Sequence, residues 1–199
     1  MSAVFYSVII GYVIFIIYEG RKTKEHSLNA PRKARWTLLL LFLAYVIAIV
    51  GGLVEYHLIQ RIDIRISLVG ISLILAKVLL KGWAMKTLGE YYNAHIVVGE
   101  SHKLIKSGPY KYVRHPAYLA HFFGVLGIPL LLNAAYTFLV VLVFDLISLL
   151  LRIRLEEKEL IRKFGKEYLA YERGTWAIMP FKALFAKWIP VHGRLISRD

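Results

Sequence analysis

The sequence predicts an all-α integral membrane protein with about five transmembrane helices. Hydrophobic residues make up 58% of its 199 residues, whereas an ordinary soluble domain has about 45–50%. These residues are gathered into long runs, and most of the basic residues lie between or after the runs. Because the runs approach the roughly 20 residues that a helix needs to cross a bilayer, we expect them to be membrane spans.

Five apolar runs define the predicted spans. The first run is followed, not preceded, by basic residues and lacks a small-residue cleavage site, so we interpret it as a retained span and not a signal peptide. The first and third runs are short and are expected to recruit flanking residues. The fourth and fifth are separated only around Asn133, which predicts a tight helical hairpin, with Pro129 kinking the fourth near its end. The runs are residues 3–18, 36–54, 66–80, 117–132 and 134–151.

Basic residues predict the orientation of these spans. Residues 19–35 hold six basic residues, residues 81–115 hold six, and eleven follow residue 151, whereas residues 55–65 hold two. With five spans, the three richly basic segments fall on one side. The positive-inside rule makes that side the cytoplasm, so the N-terminus is predicted outside and the C-terminus inside.

Charge and composition also exclude some classes of function. The net charge is +13, from 26 basic and 13 acidic residues. Because the basic residues flank apolar runs, anionic lipid head groups are the expected partners and nucleic acid is not. The chain has no cysteine, which excludes disulfides, cysteine–zinc sites and a thiol nucleophile, and no metal site is predicted. The sequence does not fix an oligomeric state.

The polar part of the chain forms two predicted cytosolic pieces, residues 82–116 and 152–199. The second is expected to begin as a helical continuation of the fifth span and to break at Gly165. Aromatic residues near its end predict a tail that lies at the membrane interface. These aromatic residues are Trp176, Phe181, Phe185 and Trp188.

Residues 102–118 are the most informative stretch, with two histidines, three tyrosines, one arginine and two prolines. Gly108-Pro109 indicates a turn. His115-Pro116 predicts an extended residue before a helix start, which places Arg114, His115 and Tyr118 at the membrane boundary. Such a turn suits an amphiphilic ligand, although the same residue types also serve as interfacial anchors.

A second polar cluster follows the fifth run at residues 152–159. Arg152 and Glu156 are four residues apart and share a helix face, as do Arg154 and Lys158. One interpretation is a solvated helix face. The other is that this face meets the His115 turn, where an arginine holds a carboxylate in bidentate fashion.

Three polar residues fall inside the predicted spans, where polar groups are costly and are functional candidates by default. Lys77 lies near the cytosolic end and is expected to snorkel to the interface. His121 lies one turn into the fourth span. Asp145 lies midway along the fifth, where it either bonds a neighbouring helix or contacts the head group of a substrate.

Together these clusters resemble a known family. In order, the chain shows a Gly-x-Tyr turn, Arg-His-Pro-x-Tyr, a hydrophobic hairpin, Arg-x-x-x-Glu-Glu and Phe-Gly-x-x-Tyr-x-x-Tyr, between about His95 and Pro180. This set is similar to the isoprenylcysteine carboxyl methyltransferase family, which is related to membrane phospholipid methyltransferases. The motifs begin at Gly108, Arg114, Arg152 and Phe164.

The resemblance implies an S-adenosylmethionine-dependent methyltransferase in which a cytosolic C-terminal helical segment caps a cofactor pocket. A lipophilic substrate enters from the bilayer. The chain is then one membrane domain, 1–199, with the N-terminal spans in 1–81 and the catalytic region in 82–199. His95 stands, by spacing, where the family has a glutamine. The implied cofactor-binding residues are His95, His102, Lys103, Leu104, Ile105, Tyr110, His115, Pro116, Ala117, Tyr118 and Glu156.

The remaining implied roles concern the acceptor. Arg152, Glu156 and His115 are the implied catalytic residues, and Arg152 orients a substrate carboxylate. Arg154, His121 and Asp145 join Arg152 in the predicted substrate site. Methyl transfer from a sulfonium is an in-line displacement, so the protein has to align the reactants and exclude water. No Gly-rich dinucleotide-binding fingerprint is present in the sequence.

The acceptor stays open between several classes. The favoured acceptor is an isoprenylcysteine-like carboxylate, which needs no general base. A phospholipid amine, a lipophilic phenol or a thiol would instead need a proton acceptor. A protein of another class, a small membrane transporter or an assembly factor, would bind no cofactor.

Overall fold

The computed structural model describes residues 35–89 and 104–178, together with Gly11, and this part of the chain is helical without strands. The predicted first span and the aromatic residues from Phe181 onward lie outside the described residues, Gly11 apart. The helices are α1 (Arg35–Ile59), α2 (Ile64–Leu88), a 3₁₀ turn (Gly108–Lys111), α3 (Pro116–Leu131), α4 (Ala135–Phe164) and α5 (Lys166–Gly174).

Each predicted span in the described part coincides with a helix. Of the described helices, Trp36–Ile59 alone is long and apolar enough to cross a membrane by length and composition, and Pro116–Leu131 is apolar but shorter. α2 runs from Ile64 to Leu88, so the third run recruits flanking residues as expected, and the piece that begins at residue 82 starts as helix. Large apolar side chains of α1 and α2, such as Phe42 and Leu79, remain exposed on the outer faces.

The four long helices pack as a bundle in which α2 lies along α3 and α1 lies along α4. Small residues set the distance between α2 and α3. A Cβ atom on Gly127 would lie 2.8 Å from Ile74 Cγ1, and one on Gly70 would clash with the backbone of Leu131. Close helix contact of this kind gains dispersion energy, which is the main source of helix association in lipid.

The hairpin predicted around Asn133 is confirmed, with α3 ending at Leu131 and α4 beginning at Ala135. Asn133 adopts a left-handed φ of 55°. Its Oδ1 accepts from the Asp63 amide at 2.8 Å, and its Nδ2 donates to Ser67 Oγ at 2.7 Å. Ser67 Oγ in turn donates to the Leu131 carbonyl at 3.0 Å. The turn is therefore held against the start of α2.

Glu55 caps the start of α4 from another helix. The N-cap residue of α4 is Ala134, which has no side chain able to accept a hydrogen bond. The buried carboxylate of Glu55 accepts from the Tyr136 amide at 3.0 Å, the Thr137 amide at 2.8 Å and Thr137 Oγ1 at 2.8 Å. An anion at this end also complements the helix dipole.

α4 continues unbroken beyond the predicted fifth span, as expected, and ends at Phe164. Gly165 follows with a φ of 52°, which confirms the predicted break. The continuation carries the second polar cluster out of the apolar bundle to the level of the 3₁₀ turn. This end of the bundle holds the candidate site.

Candidate active site

The segment after Gly165 lies over the turn that precedes α3. Val113 and Trp176 form a parallel bridge. The Arg114 amide donates to the Trp176 carbonyl at 2.7 Å, and the His115 amide donates to the Ala177 carbonyl at 3.0 Å. From α5, Tyr171 Oη donates to the Tyr110 carbonyl at 2.5 Å. Residues 166–178, which we call the cover segment, therefore pack on residues 110–115.

Arg114 joins the turn, α4 and the cover segment. Its Nε donates to Glu157 Oε1 at 2.8 Å. Its Nη1 donates to the carbonyls of Glu172 at 3.1 Å and Thr175 at 2.8 Å. The guanidinium is buried, and burial alone lowers the pKa of such a group, but the Glu157 carboxylate raises the pKa on balance. Arg114 is therefore a charged clamp inside the site.

Glu157 is the acceptor on which three donors converge. Besides Arg114, His115 Nε2 lies 3.2 Å and Tyr168 Oη 3.3 Å from its Oε1. Because an ionised carboxylate only accepts, this contact assigns the His115 proton to Nε2. Burial raises the pKa of Glu157, but the hydrogen bond from His115 and the charge and hydrogen bond of Arg114 lower it on balance. Burial, and then the Glu157 charge, raise the pKa of Tyr168.

Tyr118 connects Glu156 to Arg152. Its hydroxyl donates to Glu156 Oε2 at 2.5 Å and accepts from Arg152 Nε at 2.8 Å. Arg152 Nη1 donates to Thr37 Oγ1 on α1 at 2.7 Å, and its side chain is almost completely buried. The rings of His115 and Tyr118 stack with centroids 5.5 Å apart. The Arg-His-Pro-x-Tyr motif and the Arg-x-x-x-Glu-Glu helix thus form one network.

A second polar layer lies deeper in the bundle. His121 Nε2 is 2.9 Å from Asp145 Oδ1. The Tyr45 ring packs edge-on against the His121 ring at 4.9 Å, and Lys77 Nζ lies 5.8 Å from the Tyr45 ring centroid. Lys77 is fully buried, so the prediction that it snorkels to the interface is wrong. The helix continues for eleven residues beyond Lys77, to Leu88, so Lys77 lies near the middle of α2 and not at its end.

The structure joins four of the predicted site residues in one network and two more in the deeper layer. His115, Tyr118, Arg152 and Glu156 share the network, so the interpretation of the Arg152 face as a solvated surface is wrong. His121 and Asp145 form the deeper layer. Arg154 lies about 200° from Arg152 around the α4 axis, which is nearly the opposite side of the helix. Five further predicted residues lie before α3 or at its start: Leu104, Ile105, Tyr110, Pro116 and Ala117. His95, His102 and Lys103 lie outside the described residues.

Four residues of the network had no predicted site role: Thr37, Arg114, Glu157 and Tyr168. The last three stand in the motifs that the sequence shows, but Thr37 does not. Arg114 and Glu157 each adjoin a predicted residue, so the pairing of two charged motifs was a usable signal. Thr37 had no such signal, because its contact with Arg152 joins residues 115 positions apart.

A protein-family model described as the isoprenylcysteine carboxyl methyltransferase (ICMT) family matches residues 68–162, which contain α3 and all but the last two residues of α4. Residues 68–162 are therefore similar to that family. The matched region includes the Arg114–Tyr118 motif and the Arg152–Glu157 motif, and therefore most of the network.

Individual relatives agree with the family. Protein-S-isoprenylcysteine O-methyltransferase of Xenopus laevis is 31% identical, over 78% of this chain and 57% of that protein. The enzyme of the same name from Saccharomyces cerevisiae is 39% identical, over 49% and 42%. Uncharacterized protein YpbQ of Bacillus subtilis is 38% identical, over 45% and 53%. The chain thus spans about half the length of the curated relatives it matches.

A solved structure shares the fold. The eukaryotic intramembrane Ras methyltransferase ICMT superposes with a TM-score of 0.63 and 24% identity, over 69% of this chain and 52% of that chain. This similarity concerns the arrangement of the helices, and it agrees with the family that the sequence matches.

Proposed function

We propose that the chain is an S-adenosylmethionine-dependent membrane methyltransferase that methylates a lipophilic acceptor, most directly the carboxylate of an isoprenylcysteine-like substrate. The observation that carries the proposal is the single network of Arg114, His115, Tyr118, Arg152 and Glu156. It unites, at one end of the bundle, the motifs that are typical of the family. The names of the curated relatives support the same reaction and acceptor.

The residues present fit the cofactor. S-adenosylmethionine supplies an electrophilic methyl group on a sulfonium, beside an ammonium, a carboxylate and two ribose hydroxyls. The Glu156 side chain is 27% exposed, so its carboxylate is accessible to such donors. Glu157 Oε2 is buried and has no hydrogen-bond partner among the described residues. Carboxylates and stacked aromatic rings both favour a cationic ligand.

Within this proposal, the cofactor site is formed by the residues around the turn and Glu156. Residues before the turn contribute as well, including the three that lie outside the described part. The proposed set is His95, His102, Lys103, Leu104, Ile105, Tyr110, His115, Pro116, Ala117, Tyr118 and Glu156.

Arg152 is proposed to orient the acceptor carboxylate. Thr37 and Tyr118 fix its guanidinium at 2.7 and 2.8 Å, so the planar group is held in place before a substrate arrives. Its burial at the edge of the apolar bundle strengthens its attraction for an anion. Alignment of the acceptor oxygen with the methyl group, together with exclusion of water, is the main contribution required of the protein.

The proposal includes the membrane topology. The chain is one membrane domain, 1–199, with spans in 1–81 and the catalytic region in 82–199. The side that holds the richly basic segments, together with the cover segment, lies in the cytosol beside anionic head groups, and the N-terminus lies outside. The acceptor reaches the network laterally from the bilayer through the apolar bundle.

Calorimetry with S-adenosylmethionine on the purified full chain tests the cofactor site. Glu156→Ala and His115→Ala should each weaken binding at least tenfold, or by about 1.4 kcal/mol. Glu159→Ala is the matched control, because Glu159 lies on the same helix, its side chain is 43% exposed, and among the described residues it pairs with Arg162, at 3.9 Å. Binding that is unchanged in both site variants would remove the assignment, and absence of binding in the natural chain would favour a transporter or assembly factor.

Incubation with labelled S-adenosylmethionine and a total lipid extract, followed by mass spectrometry, identifies the acceptor. A labelled methyl ester supports the carboxylate. A labelled phospholipid amine, or a labelled phenol or thiol ether, would replace the carboxylate with that class.

A further inference from the structure

The deeper polar layer contains a histidine–aspartate pair that the cofactor site does not use. His121 Nε2 and Asp145 Oδ1 are 2.9 Å apart, and the Asp145 side chain is fully buried. An ionised carboxylate only accepts, so the proton of a neutral imidazole lies on Nε2 and Nδ1 keeps its lone pair. The His121 side chain is 14% exposed, so a small molecule can still reach the ring.

The layer adjoins the acceptor end of the network. His121 is three residues beyond Tyr118 on α3, which is the next position on the same helix face. Asp145 is seven residues before Arg152 on α4, which is two turns along the same face, or about 10 Å. Within the proposed function, an acceptor that enters from the bilayer along this face can therefore contact the pair before it reaches Arg152.

An ionised carboxylate needs no general base, but an acceptor that enters from lipid as a neutral acid or phenol has to lose a proton before it can be methylated. Desolvation favours the neutral form of an acid, and a neutral carboxylic acid or phenol is a poor nucleophile. A histidine oriented by a buried carboxylate is a common proton acceptor in enzymes, because the carboxylate fixes the tautomer and stabilises the imidazolium.

We propose that His121, oriented by Asp145, accepts the proton of a carboxylic acid or phenol that enters the site from the bilayer. The inference rests on the proposed methyl transfer. In this step the acceptor O–H bond breaks and an N–H bond forms at His121 Nδ1, while the electron pair stays on the acceptor oxygen. That oxygen then forms its bond to the methyl carbon as the carbon–sulfur bond breaks, and the imidazolium later returns its proton to water.

Charges around the pair fit this role. The His121 ring contacts Asp145 on α4 and the Tyr45 ring on α1, and Tyr118 is its neighbour on α3. Lys77 on α2 lies on the Tyr45 ring and so faces His121 through that ring. In formal charge, Lys77 offsets Asp145. Proton transfer therefore adds an ion pair between the imidazolium and the acceptor to this buried layer. An isolated buried charge would be far more costly.

A coloured acceptor analogue measures the proton transfer directly. A long-chain alkyl nitrophenol changes its absorbance on ionisation and can be titrated while bound to the full chain without cofactor. With the natural chain, we expect its ionisation midpoint to fall below the value in empty detergent micelles. His121→Gln keeps a donor for Asp145 but removes the proton acceptor, and should raise the midpoint by about one pH unit, a tenfold change in the ionisation constant.

Asp145→Asn and Ser148→Ala complete the series. Asp145→Asn should raise the midpoint in the same direction, because Asp145 acts as a positioning residue. Ser148→Ala is the control. Ser148 is buried one turn from Asp145, and within the described residues its hydroxyl bonds the Phe144 carbonyl, at 2.7 Å, so the midpoint should not move. Thermal unfolding of each variant shows which of them fold. If Asp145→Asn does not fold, His121→Gln alone is sufficient to test the proton transfer.

Methyl transfer gives the second readout. With the acceptor identified by mass spectrometry, His121→Gln should lower the rate at neutral pH by about 10²–10⁴-fold, and raising the pH should restore much of it because the acceptor then ionises unaided. A nitrophenol midpoint that is equal in the natural chain and in His121→Gln, or no nitrophenol binding to the natural chain, would overturn the inference. Neither result would affect S-adenosylmethionine binding, on which the proposed function is judged.

Discussion

Removal of the Glu157 carboxylate tests whether the network holds this end of the bundle together. Glu157→Ala leaves the buried Arg114 guanidinium without its counter-ion at 2.8 Å and removes the acceptor of His115 and Tyr168. Breaking a buried ion pair by removing one partner costs about 3–5 kcal/mol. For a chain of this size that corresponds to a thermal midpoint lowered by roughly 6–20 °C.

Glu157→Gln separates charge from shape. It retains one acceptor oxygen near Arg114 but no negative charge, so the loss should be smaller, about 1.5–3 kcal/mol. The pKa of Glu157 is lowered in the folded protein from 4.5. The charged Glu157 carboxylate therefore contributes its full share of stability above its ordinary pKa. This share is lost as the pH falls through the lower pKa of the folded protein. The difference in thermal midpoint between the natural chain and Glu157→Gln should thus be constant near neutral pH and shrink below about pH 4.5.

The assay is thermal unfolding in detergent micelles, followed by circular dichroism, with exposed Glu159→Ala as control. Adding Arg114→Ala to Glu157→Ala should cost less than the two single losses together, because the unpaired guanidinium is then absent. If Glu157→Ala unfolds within about 2 °C of the control, which is less than 1 kcal/mol for a chain of this size, or if the two losses simply add, the buried ion pair does not stabilise this end of the bundle.

Two further predictions concern other parts of the fold. Glu55→Ala removes the cap that α1 provides for α4 and should lower stability by about 1–2 kcal/mol, whereas Glu55→Gln should keep part of it; thermal unfolding of both variants measures the difference, and equal losses would contradict a charge-dependent cap. Burial raises the pKa of Tyr171 from 10.0 to about 12. The contribution of the protonated Tyr171 hydroxyl to stability is complete below pH 10 and is lost as the pH rises through about 12. Tyr171→Phe should therefore lose less stability than the natural chain between pH 10 and 12. If the thermal midpoints of the two proteins fall equally over that range, the prediction is refuted.

The meeting of the two motifs could be predicted from the sequence, because a tight turn at Asn133 makes α3 and α4 antiparallel neighbours. Runs of similar length on either side of the turn then place Tyr118 near Arg152. The unbroken length of α4 and the break at Gly165 followed from apolar periodicity and from glycine. These features depend on local sequence and on one short connection.

Rotation of the helices could not be predicted in the same way. Glu156 and Glu157 are adjacent, yet one bonds Tyr118 and the other bonds Arg114 and His115, because successive residues point about 100° apart around a helix. Which of the two faces which partner depends on the exact rotation of α4. The burial of Lys77 depends likewise on how α2 turns against α3, and Thr37 meets Arg152 only through packing of the whole bundle.

The contacts of the cover segment have a consequence for local unfolding. The amides of Arg114 and His115 donate to residues 176 and 177, and the Arg114 side chain holds the carbonyls of Glu172 and Thr175. The backbone that carries His115 and the segment above it therefore lose their hydrogen bonds together. In hydrogen exchange they form one cooperative unit, whose opening free energy governs both exposure of the site and release of the segment.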